Sequence, residues 1–350
     1  KDSLLGAKLH FEEMKKNEVI KKDINNNIYI YQIEFQNHTQ LGFLSLGLID
    51  DFRNKKIKSH EKIYESRMKE RAEQMSNINT QIGPIYVSYP YDDKIENFLR
   101  SYINTNTINV NFPDYDFESF DNSIHKLWCV KDISFINKLT SAFKNIDSLY
   151  IADGHHRIGA MTLIADNYKK NNQMFDNVMI AAFPSNQSKI FDYNRVVKDL
   201  NGLSAKEFIE SISINFIVKK QDNAFKPNKK KQFGMYHESK WYSLEFKKDI
   251  NSKNILEDLD INILNNFCLK PFLNIKDVNS DERIRFIAGC HGLQALENKV
   301  NENKDSVAFS IFPCNINDVI NIANNNLTMP PKTTWFDPKP LDGLVAYDFE

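Results

Sequence analysis

The alternation of apolar and polar positions divides the chain into short strands and amphipathic helices, with no repeating unit. Residues 7–20 carry apolar positions at helical spacing. Asn27–Phe35 alternates with period two, Ile28, Ile30 and Gln32 on one face and Tyr29, Tyr31 and Ile33 on the other. The apolar run Leu41–Ile49 follows turn residues Asn37-His38, so the two segments predict a hairpin. Ser59 can cap a mostly charged helix from His60 to about Met75. Gly83-Pro84 ends it, and Ile85–Ser88 reads as a short strand. Residues 90–125 are polar, aromatic and punctuated by Pro90 and Pro113, a pattern that predicts an insertion or lid. The next segments alternate: strand Leu127–Val130, helix Asp132–Lys144, strand Leu149–Ala152, helix Ile158–Tyr168 and buried strand Val178–Phe183.

After about residue 195 the organisation changes. Ala205–Ser211 is helical, and Phe233–Tyr236 and Trp241–Phe246 alternate around residues 237–240 as a second hairpin. Helix Leu256–Phe267, strand Val307–Pro313, helix Ile316–Asn325 and a last strand Leu344–Phe349 follow. Short strands mixed with helices predict an α+β fold.

Composition changes this picture little. The chain has 350 residues and 41% hydrophobic content, enough for one large domain or two ordinary ones. Charge is balanced, 45 basic against 46 acidic, which argues against nucleic acid as the partner. The lysines Lys226, Lys229, Lys230 and Lys231 read as a solvated loop. Cys129, Cys268, Cys290 and Cys314 are far apart and read as buried thiols in a reducing compartment. No apolar run is long enough for a membrane span, and the expected location is cytoplasmic.

The chemistry is concentrated at Asp153-Gly154-His155-His156-Arg157, between an apolar strand and an apolar-periodic helix. A helix start offers free N–H groups and the positive end of a dipole. Arg157 and the histidines add donors suited to phosphate oxygens, and Asp153 can hold a divalent cation that bridges them. Glu61 can serve as a general base, the alternative being a carboxylate that complements its helix dipole. Lys332, Thr333 and Thr334 offer one cation and two hydroxyls on a Pro-flanked segment, suited to a carboxylate or phosphate. Arg71 and Arg195 are lesser candidates for anion contacts and read more readily as surface or ion-pair arginines. Phosphoryl transfer, phosphate-ester hydrolysis and nucleotide or phosphometabolite sensing without chemistry all remain open on these residues.

The pentapeptide 153–157 resembles the signature loop of the ParB/sulfiredoxin-like superfamily, in the form that free serine kinases use. His60-Glu61 and Pro331-Lys332-Thr333-Thr334 occur in the same order in those kinases. The whole chain more closely resembles the family of domain of unknown function 1015. That pattern runs through Gly42, Ile57-Lys58-Ser59-His60-Glu61, Lys69-Glu70-Arg71, the signature loop and Leu259-Asp260-Ile261. It closes with Met329-Pro330-Pro331-Lys332-Thr333-Thr334-Trp335-Phe336-Asp337-Pro338-Lys339 and Gly343-Leu344. Two departures stand out: no Pro-Pro-Tyr-Asp segment opens the sequence, and Asn194-Arg195 stands where the family has His-Arg.

The resemblance implies a ParB/sulfiredoxin-like core over 1–195 and a C-terminal α+β region over 196–350 that folds back on the same cleft. It implies a kinase that uses Mg²⁺ and ATP or ADP on the hydroxyl of free serine or a similar metabolite. Glu61, Asp153 and His155 would be catalytic, Asp153 also holding the metal. Gly154, His156 and Arg157 would bind the nucleotide phosphates, and Lys332, Thr333 and Thr334 the substrate. The implied partners are a small-molecule substrate and a nucleotide, with neither nucleic acid nor membrane.

Overall fold

The computed structural model describes residues 2–104, 112–168, 173–248 and 254–349. The chain divides into two compact units, one of residues 1–189 and 338–350, the other of residues 190–337. The division falls between residues 189 and 190, and residues 338–350 group with the first unit.

The first unit opens with helix α1 (Asp2–Lys16) and the hairpin β1 (Ile28–Phe35) and β2 (His38–Leu48). Helix α2 (Ile49–Arg53), β3 (Ile57–Lys58), α3 (Glu65–Ile78), β4 (Thr80–Gln81) and β5 (Ile85–Tyr89) follow. Then come α4 (Asp93–Ile103), β6 (Tyr115–Glu118), β7 (Ile124–Val130), α5 (Ile133–Phe143), β8 (Leu149–Asp153), α6 (His155–Tyr168) and β9 (Asn177–Pro184). Eight strands form one mixed sheet in the order β3-β8-β5-β9-β2-β1-β7-β6. The pairs β3–β8 and β5–β9 are parallel and the others antiparallel. In the hairpin, Tyr29 faces Leu44 and Phe35 faces His38. The C-terminal strand Tyr347–Asp348 pairs with β4.

The continuous apolar character of β8 follows from its place inside the sheet, where both neighbours and both faces are covered. Ile151, Val87, Ile180 and Ala182 share one core with Ile158, Met161 and Ile164 of α6. Two differences from the sequence reading concern this unit. Residues 93–103 are not a lid: Asp92 caps α4, and Ile95 and Leu99 are buried in the same core. Tyr115–Glu118 adds an edge strand; residues 105–111 of the expected insertion lie outside the described residues. Helix α3 begins at Glu65, not at His60. The reason is local: Ser59 Oγ donates to the Glu61 carbonyl and accepts from the Glu61 N–H, which closes a turn there instead of capping a helix.

The second unit contains β10 (Ile190–Phe191), β11 (Tyr193–Val197), α7 (Ala205–Ile212), β12 (Phe216–Gln221), β13 (Gln232–His237) and β14 (Lys240–Phe246). Helix α8 (Asp260–Leu264) runs through a π turn at Asn265–Leu269 into α9 (Lys270–Phe272). Strand β15 (Ile284–Ala288), α10 (Gly292–Asn301), β16 (Val307–Ile311), α11 (Ile316–Asn324) and β17 (Trp335–Phe336) complete it. Six strands form an antiparallel sheet in the order β12-β14-β13-β16-β11-β15, and β10 pairs with β17. Capping boxes start α7 at Ser204 and Glu207, and α11 at Asn315 and Asp318. Leu296 and Val300 of α10 pack on Val196, Tyr236, Trp241 and Ala308 of the sheet. The lysine cluster is not simply solvated: Lys226, Lys229, Lys230 and Lys231 pair with Asp192, Glu245, Asp318 and Asp258.

Both units mix helices with sheets, so the chain is α+β. All four cysteines are free thiols; Cys268 is buried and the other three half-buried. Among the described residues no helix is long and apolar enough to cross a membrane.

Candidate functional site

The end of β8 sets the geometry of the site. Tyr86 faces Asp153 while Val87 faces Ile151, so Ala152 is an extra residue that makes a β-bulge. Such a bulge bends a strand and re-aims the side chain that follows it, here Asp153. Gly154 then takes φ +96°, in the left-handed region, and a Cβ there would press on the Ile85 backbone. The Gly154 carbonyl accepts from the Arg157 and Ile158 N–H groups, so α6 begins immediately after the turn. The N–H groups of its first residues have no partner within the helix and are left for other acceptors.

The charged side chains of the loop are tied to each other and to the C-terminal segment. Arg157 donates to Asp153 Oδ2 at 3.0 Å, to the Pro84 carbonyl at 2.6 Å and to Asp342 Oδ1 at 3.1 Å. Lys339 Nζ donates to the other Asp153 oxygen, Oδ1, at 2.7 Å. Gly83 makes room for this arrangement, since a Cβ on it would collide with the Asp342 carboxylate and the Arg157 guanidinium.

Residues 338–343 cross this loop as a strap with its own anchors in the first unit. Gln40 Nε2 donates to the Pro338 carbonyl at 3.0 Å, Leu341 N–H donates to Tyr31 Oη at 3.2 Å, and Gly343 N–H donates to the Ile82 carbonyl at 3.0 Å. The Tyr31 hydroxyl lies 2.7 Å from Nδ1 of buried His125, whose Nε2 lies 2.6 Å from Ser123 Oγ. Ser123 in turn donates to Asp121. One proton assignment satisfies this chain: Tyr31 donates to Nδ1, and Nε2–H donates to Ser123.

The histidines are the apolar side of the site. His60 and His155 are both buried, their rings edge to face with centroids 4.7 Å apart. Burial pushes the His60 imidazole down to about 4, against an opposing hydrogen bond with the Ile151 backbone. Burial also holds His155 well below the usual imidazole range, helped by His60, His156 and the charge of Lys339. His156 is lowered by burial first and then by Arg67 and Arg71, two cations of α3. His155 Nδ1 lies 3.5 Å from Glu61 Oε2. Its Nε2, and Nδ1 of His156, are buried and have no hydrogen-bond partner among the described residues. A native site rarely leaves such atoms unmatched without a ligand, water or ion to meet them.

The structure thus brings together Glu61, Asp153, Gly154, His155, His156 and Arg157 in the first unit. Glu61 precedes α3 and so does not complement its dipole; its carboxylate neighbours His155 instead. Lys332, Thr333 and Thr334 belong to the second unit. Lys332 takes φ +57° and holds its ammonium 5.5 Å from the centre of the Tyr193 ring, and Thr333 Oγ1 donates to the Pro330 carbonyl at 2.6 Å. Arg195 is neither a surface nor an ion-pair arginine. It is 1% exposed, and among the described residues no carboxylate pairs with it. Its guanidinium donates to the Tyr193 and Lys332 carbonyls, the latter at 2.8 Å, and lies 5.1 Å from the Phe286 ring centre. Burial lowers it to about 9. Two residues missed from sequence are Lys339 and Asp342. Both follow the Pro-rich motif, and Pro338-Lys339 at its end was the available signal.

The donor set fits a phosphate group: two cations, the start of a helix, and the buried Nδ1 of His156, which has no hydrogen-bond partner among the described residues. Mg²⁺ commonly needs only one or two protein carboxylates, with phosphate oxygens and water completing its shell. Asp153 can supply one, although both its oxygens already receive a cationic donor.

Among solved structures, SbnI with a C-terminal truncation from Staphylococcus aureus is 11% identical, with 85% of each chain covered and a TM-score of 0.44. A free serine kinase mutant in complex with AMP is 14% identical, covering 85% of this chain and 91% of that one, with a TM-score of 0.43. A conserved hypothetical protein from Pyrococcus furiosus is 13% identical, covering 85% and 94%, with a TM-score of 0.40. No curated protein matches the chain. The family model described as protein of unknown function (DUF1015) matches residues 2–262, well over half the sequence, and the chain belongs to that family.

Proposed function

We propose that the chain is a small-molecule phosphotransferase, a kinase that moves a phosphoryl group from ATP or ADP to the hydroxyl of free serine or a similar metabolite. Its first unit is read as a ParB/sulfiredoxin-like core. The observation that carries this reading is the pairing of a phosphate-type donor set at 153–157 with a separate carboxylate, Glu61, beside a neutral imidazole.

Phosphoryl transfer asks the protein mainly for positioning and charge stabilisation. Arg157, Gly154, His156 and the first N–H groups of α6 hold the nucleotide phosphates. Asp153 would hold a Mg²⁺ ion, whose charge would offset that of the phosphate oxygens when bound. The acceptor oxygen forms a bond to the terminal phosphorus as the bond to the bridging oxygen breaks, leaving ADP or AMP. Glu61 accepts the hydroxyl proton as general base. His155, kept neutral by burial, orients that carboxylate without neutralising it as an imidazolium would. Lys332, Thr333 and Thr334, in the second unit, form a set suited to a carboxylate or phosphate.

The test is incubation of the protein with ATP or ADP, Mg²⁺ and a pool of hydroxy amino acids and other small alcohols, read by mass spectrometry. A phosphorylated alcohol with matching ADP or AMP supports the kinase. Nucleotide binding with no transfer to any acceptor would favour a regulatory sensor, and release of inorganic phosphate alone would favour a hydrolase.

A further inference from the structure

The strap 338–343 contributes two opposite charges to the signature loop, and they sit on different partners. Lys339 pairs with Asp153 at 2.7 Å, and Asp342 pairs with Arg157 at 3.1 Å. Neither is an arbitrary surface contact. The strap is fixed on both sides of Lys339, through Pro338 to Gln40 and through Leu341 to Tyr31, and Gly343 bonds to Ile82 just after Asp342. Gly83 leaves the space in which the Arg157–Asp342 pair sits.

An anion that approaches Arg157 meets Asp342 already there. Asp342 is 65% exposed at its side chain, so this ion pair is of the weak, exchangeable kind. A phosphate carries more charge and more acceptor oxygens than one carboxylate, and it can take both Arg157 and Lys339. We infer that Lys339 is a phosphate-binding residue of this site and that Asp342 is a built-in carboxylate competitor which the phosphate displaces from Arg157. The inference rests on the reading of 153–157 as a phosphate site, but not on any phosphoryl transfer.

The two residues make opposite predictions. Binding of AMP and of inorganic pyrophosphate to the full chain is measured by isothermal titration calorimetry for wild type, Lys339→Met, Lys339→Arg and Asp342→Asn, with thermal unfolding as the check on folding. Lys339→Met is expected to weaken binding about tenfold, the scale of one charge-assisted hydrogen bond. Lys339→Arg should keep most of the affinity. Asp342→Asn should tighten binding by about threefold, since an exposed like charge is removed. Folded Lys339→Met with wild-type affinity, or Asp342→Asn with unchanged or weaker affinity, would overturn the inference and leave the phosphate site standing. If Lys339→Met fails to fold, Asp342→Asn alone decides. A wild type that binds neither probe would overturn both the inference and the phosphate reading.

Discussion

The rings of His60 and His155 meet edge to face, 4.7 Å between centroids, in a fully buried position. Two imidazolium ions cannot share that space, and burial keeps both neutral. Unfolded histidine titrates near about 6.5. Below that pH the unfolded chain takes up protons that the folded chain refuses. Stability is therefore greatest above about pH 6.5 and falls as pH drops toward 4, where His60 begins to charge. The expected slope is about 1.4 kcal/mol per pH unit for each imidazole. Urea unfolding at several pH values checks this, with His60→Gln expected to flatten the slope. An equal slope in wild type and His60→Gln would show that other groups carry the acid sensitivity.

The strap depends on Tyr31. Its hydroxyl is the acceptor for Leu341 N–H and the donor to His125, both buried or half-buried. Tyr31→Phe leaves two groups without partners, and a loss of about 1–3 kcal/mol is expected. Amide exchange at Leu341 should accelerate by more than exchange in the core strands. Unaltered exchange there would mean that the tyrosine does not anchor the strap.

Gly83 allows Arg157 and Asp342 to meet. In Gly83→Ala the new methyl group collides with the far ends of both side chains, not with backbone, so the fold is expected to survive with a stability change under about 1 kcal/mol. Displacing Arg157 should nevertheless weaken AMP binding, roughly tenfold for one lost bond to a charged group. Full retention of AMP affinity in the alanine variant would remove Arg157 from the phosphate set.

The signature loop was legible because its constraints are local. The run Leu149-Tyr150-Ile151-Ala152 is apolar because β8 is enclosed, and Gly154 marks a turn that requires a positive φ. The hairpin of β1 and β2 was legible from its period-two alternation. The start of α3 was not, because Ser59 bonds to Glu61 in a turn that uses the same side chain a cap would use. The helix α4 was mistaken for part of a lid since its surroundings are polar, while Ile95 and Leu99 enter the core and Tyr102 and Ile103 pack against it. Lys339 and Asp342 escaped notice for a different reason. Their partners lie 186 and 185 residues away in sequence, and only the tertiary path of the strap brings them to Asp153 and Arg157. Arg195 shows the same limit, since nothing in its neighbours announces a buried guanidinium.

The central claim, a phosphate-holding loop served by a separate general base, is tested most directly by measuring nucleotide affinity and phosphoryl transfer in parallel on wild type and Glu61→Gln. The glutamine keeps the shape of the side chain 3.5 Å from His155 and removes its basicity. The account predicts nearly unchanged nucleotide affinity and a fall in turnover of about 10²–10⁴-fold, the range of a lost general base. Equal turnover in the two proteins, or no transfer by the wild type to any small alcohol, would contradict it.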